Sequence, residues 1–203
     1  MTADHRHESD SPALRTEAIE ALLVEKGLVR SAAVDALVER YEQDIGPLRG
    51  ARVVAEAWTD PAFRARLLQD GMPAIRAAFR DSGGFGDNTD SHVARLVVKE
   101  NTDTVHNLVV CTLCSCYPWA VLGLPPAWYK SPAYRSRAVR EPRRLLGELG
   151  LDLSPDVEVR VWDASAEVRY MVLPQQPEDT DGLGVEELAA FVTRDSMIGV
   201  ERL

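Results

Sequence analysis

The sequence predicts an α+β protein, in which an N-terminal helical arm precedes a mixed α/β globular core that carries a metal site. Up to about residue 70, apolar residues recur at helical spacing and no strand pattern interrupts them. After residue 92, short valine-rich runs alternate with turn residues, as expected for strands. All three cysteines lie in one hexapeptide that directly follows such a run. We therefore divide the chain into an arm, residues 1–70, and a metal-binding catalytic domain, residues 71–203.

The arm is predicted to contain short amphipathic helices behind a disordered start of about 12 polar residues. A first helix ends at Gly27, and Ser31 is a good N-cap for a second helix, which Gly46-Pro47 ends. Thr59-Asp60-Pro61 supplies a cap and an N1 proline for a further helix. Short helices cannot bury their apolar faces alone. The arm therefore packs on the core or reaches to another subunit, and the residues alone favour neither.

The core is predicted to contain four strands and a final helix. The runs 93–99 and 105–110 have the composition of strands, and the second leads into the cysteines. The runs 157–162 and 168–172 alternate in polarity on either side of a short turn, which predicts a β-hairpin. The final helix is expected over residues 185–192.

A basic stretch lies between these strands and contains one acid, Glu141. It predicts either an anion-stabilising or subunit-facing patch, or a solvated face with local salt bridges. The second interpretation is the more common one for a run of charges. The basic residues are Lys130, Arg135, Arg137, Arg140, Arg143 and Arg144.

Composition limits the classes of function. The chain has 203 residues and a formal net charge of −9, which argues against broad binding of nucleic acid. No apolar run reaches the length of a membrane span, and the segment Met1 to Asp10 lacks an apolar signal region. Since the cysteines also show no disulfide pattern, we expect a cytoplasmic protein.

The cysteines form a C-x-x-C-x-C segment, Cys111-Thr112-Leu113-Cys114-Ser115-Cys116, which we call the cysteine motif. Thiolates are soft donors that favour late transition metals. A sharp turn lets Cys111 and Cys114 face one ion, and in an extended segment Cys116 points the same way as Cys114. A trivalent ion can bind the three sulfurs and the peptide nitrogens of Ser115 and Cys116, which leaves a sixth position for water or substrate.

Other interpretations of the cysteine motif are weaker. A structural zinc site usually draws four ligands from two separated knuckles, and the chain has no second C-x-x-C. An iron–sulfur cluster normally needs a fourth cysteine. A cysteine nucleophile paired with His106 leaves two neighbouring cysteines unexplained. Redox-active thiols are the second interpretation after a metal site, and inert cysteines are the third.

The cysteine motif and its surroundings resemble the nitrile hydratase α-subunit family. The segment Val110 to Trp119 is similar to the metal-binding segment of that family, and the similarity extends from Leu22 to Val200. In the family, threonine after the first cysteine accompanies cobalt and serine accompanies iron, so Thr112 implies the cobalt type. Further similar segments are Ala57-Trp58-Thr59-Asp60-Pro61, Glu100 to His106, Val121 to Pro126, Trp128-Tyr129-Lys130, Tyr134 to Arg137, Val139 to Arg143, Val161-Trp162-Asp163, Val172-Leu173-Pro174 and Val192 to Ser196.

The resemblance implies a role for each residue of the metal site. Cys111 stays a thiolate, Cys114 becomes a sulfinate and Cys116 becomes a sulfenate, which are steps on the cysteine oxidation ladder. The main-chain nitrogens of Ser115 and Cys116 complete the ligand set around one Co(III). The implied reaction is hydration of a nitrile to an amide, with Cys116, Ser115 and Cys114 as catalytic residues.

Two aromatic residues next to the motif, Tyr117 and Trp119, are candidates for an apolar substrate pocket, with core packing as the alternative role. Two departures from the family pattern leave the range of nitriles open. The stretch from Gly83 to Ala94 contains no glutamine where relatives often have one, and Ala120 stands where relatives commonly have proline.

The resemblance also implies that the chain is one part of a larger enzyme. The arm would embrace a β subunit, which would supply arginines to the oxidised cysteines, and the αβ pair can dimerise again. An activator protein would load cobalt. The enzymatic alternative is the metal-binding subunit of thiocyanate hydrolase, a relative with the same motif. The alternative of another class is a non-catalytic metal-binding or redox-sensing module.

Overall fold

The computed structural model describes residues 12–39, 46–80, 95–114 and 116–203 of the chain. Helices and strands are both present, which confirms the predicted class. The internal contacts divide the chain into two units, residues 1–43 and 44–203. Among the described residues, no helix combines the length and the apolar character that crossing a membrane requires.

The described part of the first unit consists of two helices, α1 (Pro12–Glu25) and α2 (Ser31–Glu39). Gly27 lies after α1 with φ of 67°, in the left-handed region that ends many helices. Tyr41 and Ile45 continue the apolar spacing of the predicted second helix, and both lie outside the described residues. Several large apolar side chains of this unit are exposed, namely Leu14, Ile19, Leu22, Val24, Leu28, Leu37 and Val38.

Three helices open the second unit: α3 (Gly46–Thr59), α4 (Pro61–Gln69) and α5 (Gly71–Ala78). The predicted cap of α4 is confirmed, because Asp60 Oδ1 accepts the N–H groups of Ala62 at 2.8 Å and Phe63 at 3.0 Å.

These helices pack into the core rather than standing apart from it. Phe63, Leu67 and Ile75 are buried there, and α4 and α5 both contact the first strand, residues 95–100. The two contact units therefore separate after residue 43, whereas the sequence placed the end of the arm at residue 70. The difference arises because the buried face of α3–α5 is continuous with the strands.

Four strands form two parallel pairs. They are β1 (Arg95–Glu100), β2 (Val105–Val110), β3 (Glu158–Asp163) and β4 (Val168–Leu173). β1 pairs with β4, and β2 pairs with β3 in a register that sets Val110 opposite Asp163.

The predicted hairpin between β3 and β4 is therefore wrong. A tight turn does connect them, with Ser165 N donating to Val168 O at 2.9 Å, but each strand pairs with a strand from earlier in the chain. Trp162 and Tyr170 pack against each other with ring centroids 5.5 Å apart. Alternating polarity identifies a strand but does not identify its partner.

Short helices complete the second unit. The final helix predicted for residues 185–192 ends at residue 189, and another helix that the sequence analysis missed begins at Arg194, where Thr193 Oγ1 accepts Ser196 N–H at 3.0 Å. The elements are α6 (Trp119–Leu122), a 3₁₀ helix (Ala127–Lys130), α7 (Pro132–Arg140), α8 (Pro142–Glu148), α9 (Val185–Ala189) and α10 (Arg194–Ile198).

Part of the basic stretch forms local salt bridges, as expected for a solvated face. Arg137 pairs with Glu141 at 2.6 Å and with Glu148 at 2.7 Å. Arg143 instead donates to the backbone carbonyls of Leu153 at 3.1 Å and Ser154 at 3.0 Å. Exposed pairs of this kind add little stability, so these residues mainly fix the surface around α7 and α8.

A buried polar network holds the strands together. Asn107 Nδ2 donates to the Glu100 carbonyl at 2.7 Å, and its Oδ1 accepts the indole N–H of Trp162 at 2.8 Å. The Asn107 backbone N–H in turn donates to Asn101 Oδ1 at 2.8 Å. Because an unpaired polar group in the core is costly, this network specifies how β1, β2 and β3 meet.

His106 is held in one neutral tautomer inside this network. Asn101 Oδ1 is occupied by Asn107, so Asn101 Nδ2 donates to His106 Nδ1 at 3.3 Å. His106 Nε2 then donates to the Gly199 carbonyl at 2.8 Å. Gly199 has φ of 90°, and a Cβ there would lie 1.9 Å from Asn107 O, so this close approach requires glycine. Both nitrogens of His106 thus have structural partners.

The state of His106 makes stability depend on pH. Burial, opposed by the Gly199 carbonyl and reinforced by Arg202, lowers the pKa of His106 below its ordinary value. The unfolded chain, with an ordinary histidine pKa of about 6.5, then binds the proton more readily than the folded chain does. The stability that the neutral histidine contributes to the folded chain is fully present above the pKa of the unfolded state, about 6.5, and declines as the pH falls below it.

We expect urea unfolding of the wild type to show a larger loss of stability between about pH 7.5 and pH 5.5 than that of His106→Gln, which carries no titrating ring. His106→Gln should be less stable than the wild type at the higher pH. Equal losses in the two proteins would contradict the buried neutral histidine.

Candidate metal centre

The cysteine motif begins at the residue that follows β2. Val109, Val110 and Cys111 are buried, so the strand fixes the start of the motif in the core. Cys114 is exposed and Cys116 is half-buried, and no disulfide joins the three cysteines. The motif therefore runs from the core to the surface within six residues.

The three sulfurs converge as the spacing predicts. Cys114 Sγ lies 3.5 Å from Cys111 Sγ and 3.2 Å from Cys116 Sγ, and all three lie within 4.8 Å of one another. Two sulfurs bound at right angles to an ion, each at about 2.3 Å, are about 3.3 Å apart. The donor set and its spacing therefore fit one thiolate-binding transition metal. Ser115 lies outside the described residues, so its role as a ligand stays a prediction.

Asp163 holds the start of the motif. Its Oδ1 accepts the Thr112 N–H at 2.9 Å, and its Oδ2 accepts the Thr112 hydroxyl at 2.6 Å. Parallel pairing makes this possible, because Val110 and Asp163 end their strands side by side and Ala164 N continues the ladder to Val110 O at 2.7 Å. Sequence reasoning missed this residue. The sequence pattern assigned β3 the wrong partner strand, so it gave no signal that Asp163 lies beside the motif.

Two buried tyrosines hold the end of the motif and the strand before it. Tyr134 donates its hydroxyl to Val109 O at 2.6 Å, and Tyr129 donates to Cys116 O at 3.0 Å. Burial raises the pKa of both phenols, so they stay protonated and act as donors. The 3₁₀ helix, which carries Tyr129, thus fixes the end of the motif. Helix α7, which carries Tyr134, fixes the strand β2 that precedes the motif.

Arg135 contacts the middle of the motif. Its Nη1 donates to the carbonyls of Leu113 at 3.3 Å and Cys114 at 3.1 Å. The Leu113 side chain is 88% exposed and so contributes little packing to this turn. The sequence analysis placed Arg135 in the basic stretch without assigning it a contact to the cysteines.

The surroundings of Cys116 stabilise its protonated thiol. Burial, and then the hydrogen bond with Cys114, raise the pKa of Cys116 to about 12, while the nearby charge of Arg169 acts in the opposite direction. Metal binding requires the thiolate, so an ion must compete with the proton here. Arg169 Nη1 is buried and has no hydrogen-bond partner among the described residues.

The two aromatic pocket candidates lie in different environments. Trp119 is 43% exposed at the start of α6, whereas Tyr117 is only 3% exposed. The Tyr117 ring packs edge-on against Tyr129 with centroids 5.2 Å apart, so it contributes to the core. Exposure beside the cysteines is compatible with a pocket role for Trp119, and that role stays a prediction for both residues.

Fold and site together define a mixed helix-and-strand protein whose three converging cysteines could hold a metal ion. The family model described as "Nitrile hydratase, alpha chain" matches residues 10–201. The chain belongs to the nitrile hydratase α-chain family, as the resemblance predicted.

Individual relatives support this membership. The low-molecular-weight cobalt-containing nitrile hydratase subunit alpha of Rhodococcus rhodochrous is 55% identical over 188 residues, which cover 93% of this chain and 87% of the relative. Thiocyanate hydrolase subunit gamma of Thiobacillus thioparus is 44% identical over 186 residues, covering 90% of this chain and 76% of the relative. A double mutant of the Fe-type nitrile hydratase from Comamonas testosteroni Ni1 superposes with a TM-score of 0.82 at 40% identity, covering 95% of this chain and 92% of that one.

The Asp163 contact predicts a specific effect on stability. Asp163→Ala removes the acceptor of two Thr112 donors, and we expect it to lower the free energy of unfolding by about 1–2 kcal/mol in urea denaturation. Glu158→Ala, which removes an exposed carboxylate from the same strand and its pair with Arg160, should change stability little. Equal effects of the two substitutions would show that the Thr112 contact is not stabilising.

Proposed function

We propose that the chain is the metal-binding α subunit of a cobalt-type nitrile hydratase, which adds water to a nitrile to form the corresponding amide. The observation that carries this proposal is the convergence of the three cysteine sulfurs in the segment that the family uses to bind metal. Contacts from Asp163, Arg135 and Tyr129 to the start, middle and end of that segment support a site held ready for an ion.

One Co(III) per chain would be held by the sulfurs of Cys111, Cys114 and Cys116 and by the peptide nitrogens of Ser115 and Cys116. When bound, it supplies Lewis acidity that polarises a nitrile or lowers the pKa of a water. Thr112 and the cobalt-containing relative from Rhodococcus rhodochrous support cobalt rather than iron. An iron-type enzyme shares the fold, so the choice of metal rests on the sequence.

The exposure of the thiols supports the proposed oxidation states. Oxidation of cysteine follows thiolate character and access to the oxidant. Cys111 is fully buried, whereas Cys114 is exposed and Cys116 is half-buried. Cys111 would therefore stay a thiolate, while Cys114 reaches the sulfinate and Cys116 the sulfenate. The oxidised sulfurs donate less charge, which strengthens the Lewis acid that they hold.

The catalytic work of this chain would fall to Cys114, Ser115 and Cys116. The sulfenate oxygen of Cys116 is one candidate nucleophile for the nitrile carbon, and a water is the other. Ser115 would orient that water through its hydroxyl. Trp119 presents a partly exposed apolar surface next to these residues, which would bind the organic group of the nitrile, with Tyr117 supporting it from the core.

A β subunit would complete the site. The exposed apolar side chains of the helices α1 and α2 support an arm that packs against such a partner. Arginines of the β subunit would donate to the oxidised cysteines, and the αβ pair would dimerise again. We further propose that an activator protein loads cobalt and that the enzyme works in the cytoplasm.

Activity should depend on the cysteines as a unit. In chain produced together with its β partner and cobalt, we expect Cys114→Ala and Cys116→Ala each to abolish both nitrile hydration and the cobalt-dependent absorption. Each substitution removes a metal ligand, so the two losses have one cause. Glu158→Ala should retain both properties. An active and coloured double cysteine variant would end the metal-site proposal.

Substrate choice separates nitrile hydratase from thiocyanate hydrolase, which the 44% identical relative keeps as the second candidate. We expect amide formation from a small aliphatic nitrile to exceed hydrolysis of thiocyanate in the same preparation. Faster thiocyanate hydrolysis would reverse the ranking. If the preparation shows neither activity, and if a reductant reverses the oxidation of its cysteines, the result would support a redox-sensing module instead.

A further inference from the structure

We propose that Arg135 is a positioning residue for the metal site: it fixes the turn between Cys111 and Cys114 so that the sulfurs converge before an ion binds. The proposal concerns the shape of the cysteine motif and its charge balance, and it deepens the proposed function on which it rests. Arg135 would act through the backbone, since its contacts are with carbonyl oxygens.

The first support is the rigid element that carries Arg135. It lies on α7, whose N-cap Ser131 accepts the Tyr134 N–H at 3.1 Å. The preceding residue, Tyr134, is buried and donates its hydroxyl to Val109 O, two residues before the motif. Two consecutive residues of one helix therefore contact the chain just before the motif and within it. Sites supported by well-packed helices are held more precisely than sites supported by loops.

The second support is the position of the contact within the motif. Asp163 holds the start at Thr112, and Tyr129 holds the end at Cys116 O. Arg135 holds the part between them, where the Leu113 and Cys114 side chains are both exposed and provide little packing. Fixing two successive carbonyls fixes two successive peptide planes. Those planes determine the direction in which the Cys114 side chain leaves the backbone.

The third support is charge. The carbonyl oxygen of Cys114 belongs to the same peptide group as the Ser115 nitrogen, which we propose as a ligand. Negative charge on that nitrogen in the loaded site is shared with the oxygen through peptide resonance. The Arg135 guanidinium carries a positive charge, and its Nη1 lies 3.1 Å from that oxygen. This chain thus supplies Arg135 as a cation at the Cys114 carbonyl, as it supplies Arg169 near Cys116, in addition to those expected from a partner.

Two substitutions separate the contact from the charge. Arg135→Gln removes the charge and shortens the reach, whereas Arg135→Lys keeps the charge but replaces the guanidinium, whose Nη1 donates to both carbonyls, with a shorter ammonium side chain. The matched control is Arg143→Gln, because Arg143 belongs to the same basic stretch and also donates to backbone carbonyls, those of Leu153, Ser154 and Val157. A general loss of surface contacts would affect the control as much as Arg135→Gln.

The loaded protein gives the first readout. With chain produced alongside its β partner and cobalt, we expect Arg135→Gln to lose cobalt to a chelator about tenfold faster than the wild type or more, with a shifted charge-transfer absorption. Arg135→Lys should fall between the two, and Arg143→Gln should match the wild type. Unchanged cobalt loss and absorption in Arg135→Gln would overturn the proposal.

The metal-free full chain gives a second readout that requires neither cobalt nor nitrile hydration. A trivalent arsenical bridges two thiols only when they lie close together, whereas iodoacetamide reports single thiols. We expect Arg135→Gln to be captured by the arsenical several-fold more slowly, with iodoacetamide rates unchanged. Equal arsenical rates in wild type and variant would refute preorganisation by Arg135. If the chain hydrates no nitrile, the proposed function fails while this result still decides the role of Arg135.

Discussion

The parallel pairing of β2 with β3 is the constraint on which the metal site depends. Because both strands run in the same direction, Val110 and Asp163 end them at the same edge. The cysteine motif leaves one strand there, and the carboxylate that binds Thr112 leaves the other. Antiparallel pairing would set the end of one strand beside the start of the other and separate these groups. The buried network of Asn101, His106 and Asn107 supports the pairing, since it fixes where β2 meets its neighbours.

The elements that hold the motif are of different kinds. A strand end supplies Asp163, while the 3₁₀ helix and α7 supply the tyrosine and arginine donors that follow the motif in sequence. Most of these contacts reach the backbone of the motif, so the sulfurs stay free to bind an ion. The exposure of the cysteine side chains in this site therefore differs, from buried at Cys111 to exposed at Cys114. That gradient accounts for why three chemically identical thiols would reach different oxidation states.

The sequence predicted the convergence of the three sulfurs better than it predicted the scaffold that holds them. Cysteine spacing is local, so the convergence of Cys111, Cys114 and Cys116 followed from the motif alone and from its resemblance to a family. Strand positions and the Asp60 cap were also local and were correct. The partner strand of β3 was predicted wrongly, because alternating polarity does not encode strand pairing. The contact of Asp163 with the motif was missed for the same reason. Arg135 was missed because a basic run gives no sign of which member turns inward.

The measurement that tests the account most directly is the cobalt content of the chain together with the mass of the peptide spanning residues 111–116. Both should be taken from one sample produced with the β partner and cobalt. The account predicts about one cobalt per chain and about three added oxygens, two on Cys114 and one on Cys116. Zinc or no metal, with three unmodified thiols, would contradict it.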